Sequence, residues 1–334
     1  MNRPFFWLIS AAWAVLLCWP ALAAPPVGQL PLVERARLYD IQNGYVVGEQ
    51  GIMLKATGEQ WQQQQLPLRV SLLRLATGAG QLWALGHEAS LLRFDGQRWQ
   101  LQQQQAGSDR PLFDLLFVDG KQGWAVGAYG LLLHSQDGGN SWQPRLLTEL
   151  LAAEDRDYLA ELQADDNDAY AAELQTILPH FNAIAASPGG VLAIAGEGGL
   201  VAISEDSGRH WQALDSPYQG SFFTALWVDA DHLLVAGLRG HLYRYQRSSG
   251  QWQPLPLPAD RHVNRLQRLD DAHVLVLGNS GQLQIVHWAS GVVHSEQVTD
   301  GPDLFAAAVD GKQALLATSK GLVRWPLVLA AKQE

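Results

Sequence analysis

The chain is almost without cysteine: among 334 residues only Cys18 carries a thiol. Intramolecular disulfides, thiolate metal sites and, once residue 18 is removed, cysteine nucleophiles are therefore excluded. Basic charge is also short. Lys and Arg number 23 against 33 Asp and Glu, a formal net charge of −10, so the cationic footprint that nucleic acid requires is missing. No apolar run after the first two dozen residues approaches a transmembrane length. Several catalytic signatures are absent as well: there is no Gly-x-Ser-x-Gly elbow, no His-Glu-x-x-His and no phosphate-cradling loop. No cofactor signature stands out. The acidic run Asp165-Asp166-Asn167-Asp168 lacks EF-hand spacing, so no metal site is expected there.

What the first residues do contain is an export leader. Arg3 supplies a positive start, Phe5 to Leu17 an apolar stretch, and Ala21-Leu22-Ala23 a small-x-small cleavage site. The expectation is a signal peptide over 1–23, cleavage near Ala23 and a periplasmic or secreted product over 24–334. Cys18 leaves with the leader, and stability must then come from packing alone.

Through the remainder runs one phrase: a β-rich run, Gly-x-x-Gly, a second β-rich run, a glycine turn, then Trp. The clearest copy extends from Trp124 through Gly127 and Gly130 to Trp142. Relatives are Gly48–Gly51 with Trp61, Gly196–Gly199 with Trp211, Gly237–Gly240 with Trp252, and Gly278–Gly281. Two worn copies lie at Gly86–Ser90 and Thr318–Gly321. The second landmark falls at 51, 90, 130, 199, 240, 281 and 321, so seven units repeat at about 40 residues and one interval carries about 29 extra. Four short strands per unit at that period predict an all-β, seven-bladed β-propeller. Gln29-Leu-Pro-Leu32 repeats Gln65-Leu-Pro-Leu68, an outer strand, which predicts ring closure by an N-terminal strand.

The turn before Trp carries chemistry of its own. Ser135-x-Asp137-x-Gly139-x-Ser141-Trp142 matches the bacterial-neuraminidase (BNR, Asp-box) repeat, and Ser204-x-Asp206-x-Gly208-x-His210-Trp211 is a second copy. The carboxylate can accept N–H groups across the turn, glycine allows positive φ, and Trp packs between blades. These turns are structural, since they lie at the rim away from the central mouth. With the repeated Gly-x-x-Gly and the phrase Gly123-Trp-Ala-Val-Gly-Ala-Tyr-Gly130, the chain resembles the photosystem II stability/assembly-factor-like BNR propellers. The resemblance covers the exported chain apart from the long interval and suits a non-photosynthetic bacterial member. It implies a non-enzymatic role in helping an envelope membrane complex to assemble.

The long interval, 146–181, reads as a helical insertion between blades 3 and 4. Leu147, Leu150, Leu151, Tyr158, Leu162, Tyr170, Leu174, Ile177 and Leu178 recur at helical spacing, and the Asp165–Asp168 run breaks them into two short helices. From Arg145 to His180 nine acidic residues face two basic ones. As a connection between blades the insertion should emerge on the face of the ring that also carries the Gly-x-x-Gly turns. It is either a docking arm or a solvated cover for a worn blade edge. The same face should carry Arg35, Arg69, Arg110, Tyr129, His180, Arg239, Arg261 and His262, with His87 nearby. Arginine outnumbers lysine 18 to 5, and its planar fork suits bidentate capture of carboxylates or phosphates. The expected function is thus a monomeric, non-enzymatic module that docks a protein or peptide, with a membrane-protein complex as client. The alternative is a sialidase-like glycoside hydrolase or a glycan-binding propeller. Against hydrolysis, the early Phe/Tyr-Arg-Ile-Pro motif of sialidases is replaced by Glu34-Arg35-Ala36-Arg37-Leu38-Tyr39, and seven units conflict with a six-bladed ring.

Overall fold

Each repeat folds as an antiparallel sheet in sequence order. The structure, a computed structural model, describes residues 36–328 apart from Glu59 and Ala259. The leader, Arg35 and the Gln29–Leu32 segment expected to close the ring lie outside the described residues. Blade 1 comprises β1 (Leu38–Gln42), β2 (Tyr45–Gly48), β3 (Met53–Thr57) and β4 (Gln60–Gln63). Blade 2 has β5 (Leu72–Gly78), β6 (Gln81–Gly86), β7 (Ser90–Phe94) and β8 (Trp99–Gln103). Blade 3 has β9 (Leu112–Phe117), β10 (Gly123–Gly127), β11 (Leu132–Ser135) and β12 (Gln143–Arg145). Blade 4 has β13 (Phe181–Ala186), β14 (Leu192–Gly196), β15 (Val201–Ser204) and β16 (Gln212–Ala213). Blade 5 has β17 (Phe222–Trp227), β18 (His232–Gly237), β19 (Leu242–Gln246) and β20 (Gln251–Pro254). Blade 6 has β21 (Val263–Arg268), β22 (His273–Gly278), β23 (Gln282–His287) and β24 (Val293–Gln297). Blade 7 has three described strands, β25 (Leu304–Asp310), β26 (Gln313–Thr318) and β27 (Gly321–Pro326). The seven-bladed propeller read from the period is thereby seen directly.

The first strand of every blade packs against the first strand of the next, and β25 returns to β1, so these seven strands wall a central channel. The second strands are buried on both faces, as in β10, whose five residues are all inaccessible. Between blades lie the apolar clusters. Trp83, Phe117 and Trp142 interlock at the junction of blades 2 and 3. The Asp-box glycines explain why that turn demands glycine: a Cβ on Gly139 would stand 2.3 Å from Trp83, and one on Gly208 2.3 Å from Trp124. Within each box, the Asp137 carboxylate accepts from Ser141 N at 2.9 Å and Asp206 from His210 N at 2.9 Å. Hydrogen bonds from Ser141 hold the Asp137 carboxyl down at about 2, and those from His210 likewise depress Asp206.

The insertion between blades 3 and 4 forms α1 (Ala153–Asp165) and α2 (Asn167–Glu173). Asp166 separates them and caps α2, accepting from Asp168 N and Ala169 N at 3.0 Å. The expected pair of helices and the capping role of the acidic run are both present. One position differs from the sequence pattern: Leu159 is buried whereas Tyr158 is 47% exposed. Leu147, Leu151, Leu159 and Leu178 join Trp124 and Phe181 in the core between blades 3 and 4, so the insertion is packed into the ring.

Candidate functional site: the loop-rich mouth and channel

The Gly-x-x-Gly turns join the second and third strands of their blades and crowd one end of the channel. Each is a single 3-10 turn whose middle residue is left-handed: Gln50, Tyr129, Gly198, Arg239 and Ser280. The first glycine of the motif permits contact with the chain leading into the blade's own first strand. A Cβ on Gly127 would sit 2.2 Å from Pro111 O. Non-glycine residues held at positive φ carry strain that neighbouring structure must compensate. The compensation comes from the next blade. Gln50 N donates to Ser71 Oγ, Tyr129 N to His180 Nδ1, Arg239 N to His262 Nδ1 and Ser280 N to Asp303 Oδ1, at 3.0 to 3.2 Å.

These bonds give the two histidines a definite job. His180 receives the Tyr129 N–H, lies edge-on to the Tyr129 ring at 4.5 Å and comes within 3.5 Å of Glu197. His262 plays the same part for the blade 5 turn and meets Phe223 at 6.2 Å. Both histidines join adjacent blades at the mouth. The arginines divide into two groups. Arg110 is turned into the insertion, donating to Gln175 Oε1 and, at 3.1 Å, to Tyr129 O. Arg261 donates to Ser280 O at 2.9 Å and to Gln297 Oε1 at 3.3 Å. Arg69 and Arg239 are exposed, and among the described residues their guanidinium groups make no hydrogen bond or ion pair. The insertion does emerge on this face: Gly130 N donates to Pro179 O at 2.9 Å. Arg35 lies outside the described residues.

Beneath the mouth lies a second set of residues that the sequence pattern conceals. Every first strand carries a β-bulge at the same place, leaving Tyr39, Leu73, Phe113, Asn182, Phe223, Asn264 and Phe305 unpaired. A bulge turns consecutive residues to one side, so each of these lines the channel together with its successor in blades 2 to 6, while the successors Asp40 and Ala306 are buried. The pair Phe113 and Asp114 is one example. The upper layer is largely aromatic: Tyr39, Phe113, Phe223 and Phe305. The lower one holds Asp40, Arg74, Asp114 and Arg265, with Ala183, Thr224 and Ala306 completing it. The cavity enclosed is about 380 Å³.

The buried carboxylates are tied to the backbone on both sides. Asp40 accepts from Ile41 N and from Leu75 N of the next blade, at 2.8 and 2.9 Å. Asp114 accepts from Leu115 N and from Ile184 N of blade 4, at 3.0 and 3.1 Å. Arg74 Nε donates to Asp114 at 2.8 Å and lies 3.8 Å from Asp40. Arg265 reaches past blade 7, with both Nη atoms 3.5 Å from Asp40 Oδ2. Burial nevertheless pushes the Asp40 carboxyl up to about 6, against the opposing effect of Arg74, and raises Asp114 in the same direction. No helix of the described residues is long and apolar enough to cross a membrane, and no cluster of three or more potential metal ligands occurs among them.

Comparison with known proteins agrees with this architecture. The family model of the photosynthesis system II assembly factor YCF48 matches residues 54–176. The photosystem II assembly protein Ycf48 of Synechococcus sp. (strain JA-2-3B'a(2-13)) is 25% identical over 189 residues, 49% of this chain and 56% of that protein. The match thus spans little more than half the length of that relative. The chloroplastic photosystem II stability/assembly factor HCF136 of Guillardia theta is 44% identical over 55 residues, 16% of this chain and 14% of that protein. In fold, YCF48 bound to D1 peptide superposes with a TM-score of 0.63 at 15% identity, covering 93% of this chain and 100% of that one. YCF48 from Cyanidioschyzon merolae gives 0.64 at 13%, covering 89% and 97%. With its seven-bladed ring, its Asp-box turns and these matches, the chain is similar to the photosystem II assembly factor-like BNR β-propellers.

Proposed function

We propose that this propeller is an exported, non-enzymatic docking module that binds a protein or peptide segment on its loop-rich face, in the service of an envelope membrane complex. The observation that carries this reading is the pair of exposed, unpartnered guanidinium groups, Arg69 and Arg239, on the face that opens onto the aromatic channel. Desolvating such a cation without a partner is costly, so arginines left free there suit an acidic or carbonyl-rich segment that supplies one. The acidic insertion beside them adds charge of the other sign, which favours one orientation of a docked chain over its reverse. The relatives support the class of partner, because YCF48 has been solved with a D1 peptide bound. The leader pattern of residues 1–23, with Arg3, the apolar stretch from Phe5 to Leu17 and Ala21-Leu22-Ala23, supports a periplasmic location.

Crosslinking in intact cells, followed by identification of the attached proteins, tests the reading. The wild-type chain should capture components of an inner-membrane complex. Arg69→Glu with Arg239→Glu should reduce that capture by roughly tenfold or more, since reversing charges at a complementary interface costs several kcal/mol. Capture unchanged in the double variant would remove the arginines from the site. Turnover of a glycan panel by purified protein, abolished by carboxylate substitutions at the mouth, would instead establish an enzyme.

A further inference from the structure

The channel contains more hydrogen-bonding capacity than its own residues use. Arg74 commits only Nε, and neither of its Nη atoms makes a hydrogen bond among the described residues. Arg265 has only two long contacts, both to a single oxygen of Asp40. Both side chains retain access to the channel, at 23% and 19% exposure. The carboxylates of Asp40 and Asp114 lie deeper, at 0% and 8%, each held by two backbone N–H groups. Around the ring the charged positions belong to blades 6, 1, 2 and 3, while blades 4 and 5 contribute the small Ala183 and Thr224. Space therefore lies opposite the guanidinium groups, and four aromatic rings surround the way in.

We propose that the channel is a ligand pocket for a carboxylate carried on a small apolar body, the head between Arg74 and Arg265 and the body against Tyr39, Phe113, Phe223 and Phe305. Unused guanidinium donors call for a planar group rich in acceptors, and carboxylate matches the fork. A cation is disfavoured by the two guanidinium groups that face the lumen. The volume of about 380 Å³ is at the small end of ligand pockets and suits one amino-acid-sized group. Two sources share this chemistry: a free organic acid, and the carboxyl end of a docked peptide. The pocket is separate from the exposed arginines and does not depend on the docking reading.

Calorimetric titration of the full exported chain with 3-phenylpropionate and with phenethylamine compares the same body with opposite heads. The acid should bind, and the amine should bind at least roughly tenfold more weakly, a difference of about 1.4 kcal/mol. Ala183→Leu fills the open side without removing a polar group and should weaken the acid by a similar factor. Equal binding of acid and amine, no binding of either, or indifference to Ala183→Leu would overturn the proposal. Short peptides ending in Phe, with the terminus free or amidated, separate the two sources. A free-terminus peptide that binds more tightly than the acid identifies a chain end, and the reverse identifies a free acid. Failure of the pocket leaves the Arg69 and Arg239 result untouched, and the converse holds.

Discussion

Asp40 is wholly buried between two blades, and that burial outweighs the nearby Arg74 guanidinium and holds its carboxyl above the range in which most carboxylates have already ionised. Its folded value of about 6 stands above the ordinary value near 3.8. Between those two pH values the folded protein holds a proton that the unfolded chain has released, so stability contributed at Asp40 falls as pH rises across the window. Asp137 and Asp206 act in the opposite sense. Their depressed carboxyls stabilise the fold above pH 4, and that contribution disappears as pH falls towards their folded values. Asp40→Asn preserves the shape and an acceptor for Leu75 N but cannot ionise. Urea unfolding at pH 4, 5, 6 and 7 should show the wild type losing stability relative to Asp40→Asn as pH rises. A constant difference across that range would mean that Asp40 is charged throughout.

At the scale of elements, the helical insertion separates what a sequence reveals from what only packing reveals. Its two helices were legible because apolar residues recur at helical spacing and the Asp165–Asp168 run supplies a break and a cap. Which residue of the Tyr158–Leu159 pair turns inward was not, since either fits the spacing and the blade surface beneath decides. The same contrast holds for the ring. The period, the Gly-x-x-Gly turns and the Asp boxes set seven blades, and the connection rule sets the face on which Arg69, Tyr129 and Arg239 emerge. The channel residues stayed hidden because a strand read with period two sends alternate side chains to opposite faces, whereas the bulge sends Phe113 and Asp114 the same way. A weak trace existed: Arg74, Asp114, Ala183, Thr224 and Arg265 each stand 12 or 13 residues before the first residue of their turn. Likewise, no local pattern tells that Arg110 is occupied by Gln175, 65 residues away, while Arg239 is free. Packing also predicts how the insertion responds to change. Leu178→Ala and Leu159→Ala each remove a buried side chain from the core between blades 3 and 4 and should cost about 2–5 kcal/mol. Glu154→Gln, on the exposed side of α1, should stay within about 0.5 kcal/mol. Denaturant midpoints measure both; equal, small effects would mean that the insertion is only loosely attached.

For the whole molecule the question is where a closed ring gives way. Along the channel wall, six junctions carry a polar link between first strands: Asp40 to Leu75 N, Arg74 to Asp114, Asp114 to Ile184 N, Asn182 to Phe222 O, Thr224 to Leu266 N, and Asn264 to Leu304 O. The seventh, from blade 7 to blade 1, shows no such link among the described residues. Ala306 occupies the position of Asp40 and Thr224, and the contact there is apolar, with Tyr39 against Phe305 at 5.5 Å and Arg37 over the Phe305 ring. Apolar contact without a fixed hydrogen bond tolerates small separations, so local opening should start at this junction. Hydrogen-exchange mass spectrometry of the native protein should accordingly find the amides of β25 and β1 least protected among the seven first strands. Phe305→Ala removes the ring contacts with Tyr39 and Arg37 at the junction and should widen that difference while leaving β13 and β17 unchanged. Weakest protection at another junction, or a uniform response to Phe305→Ala, would mean that the ring behaves as one cooperative unit with no preferred seam.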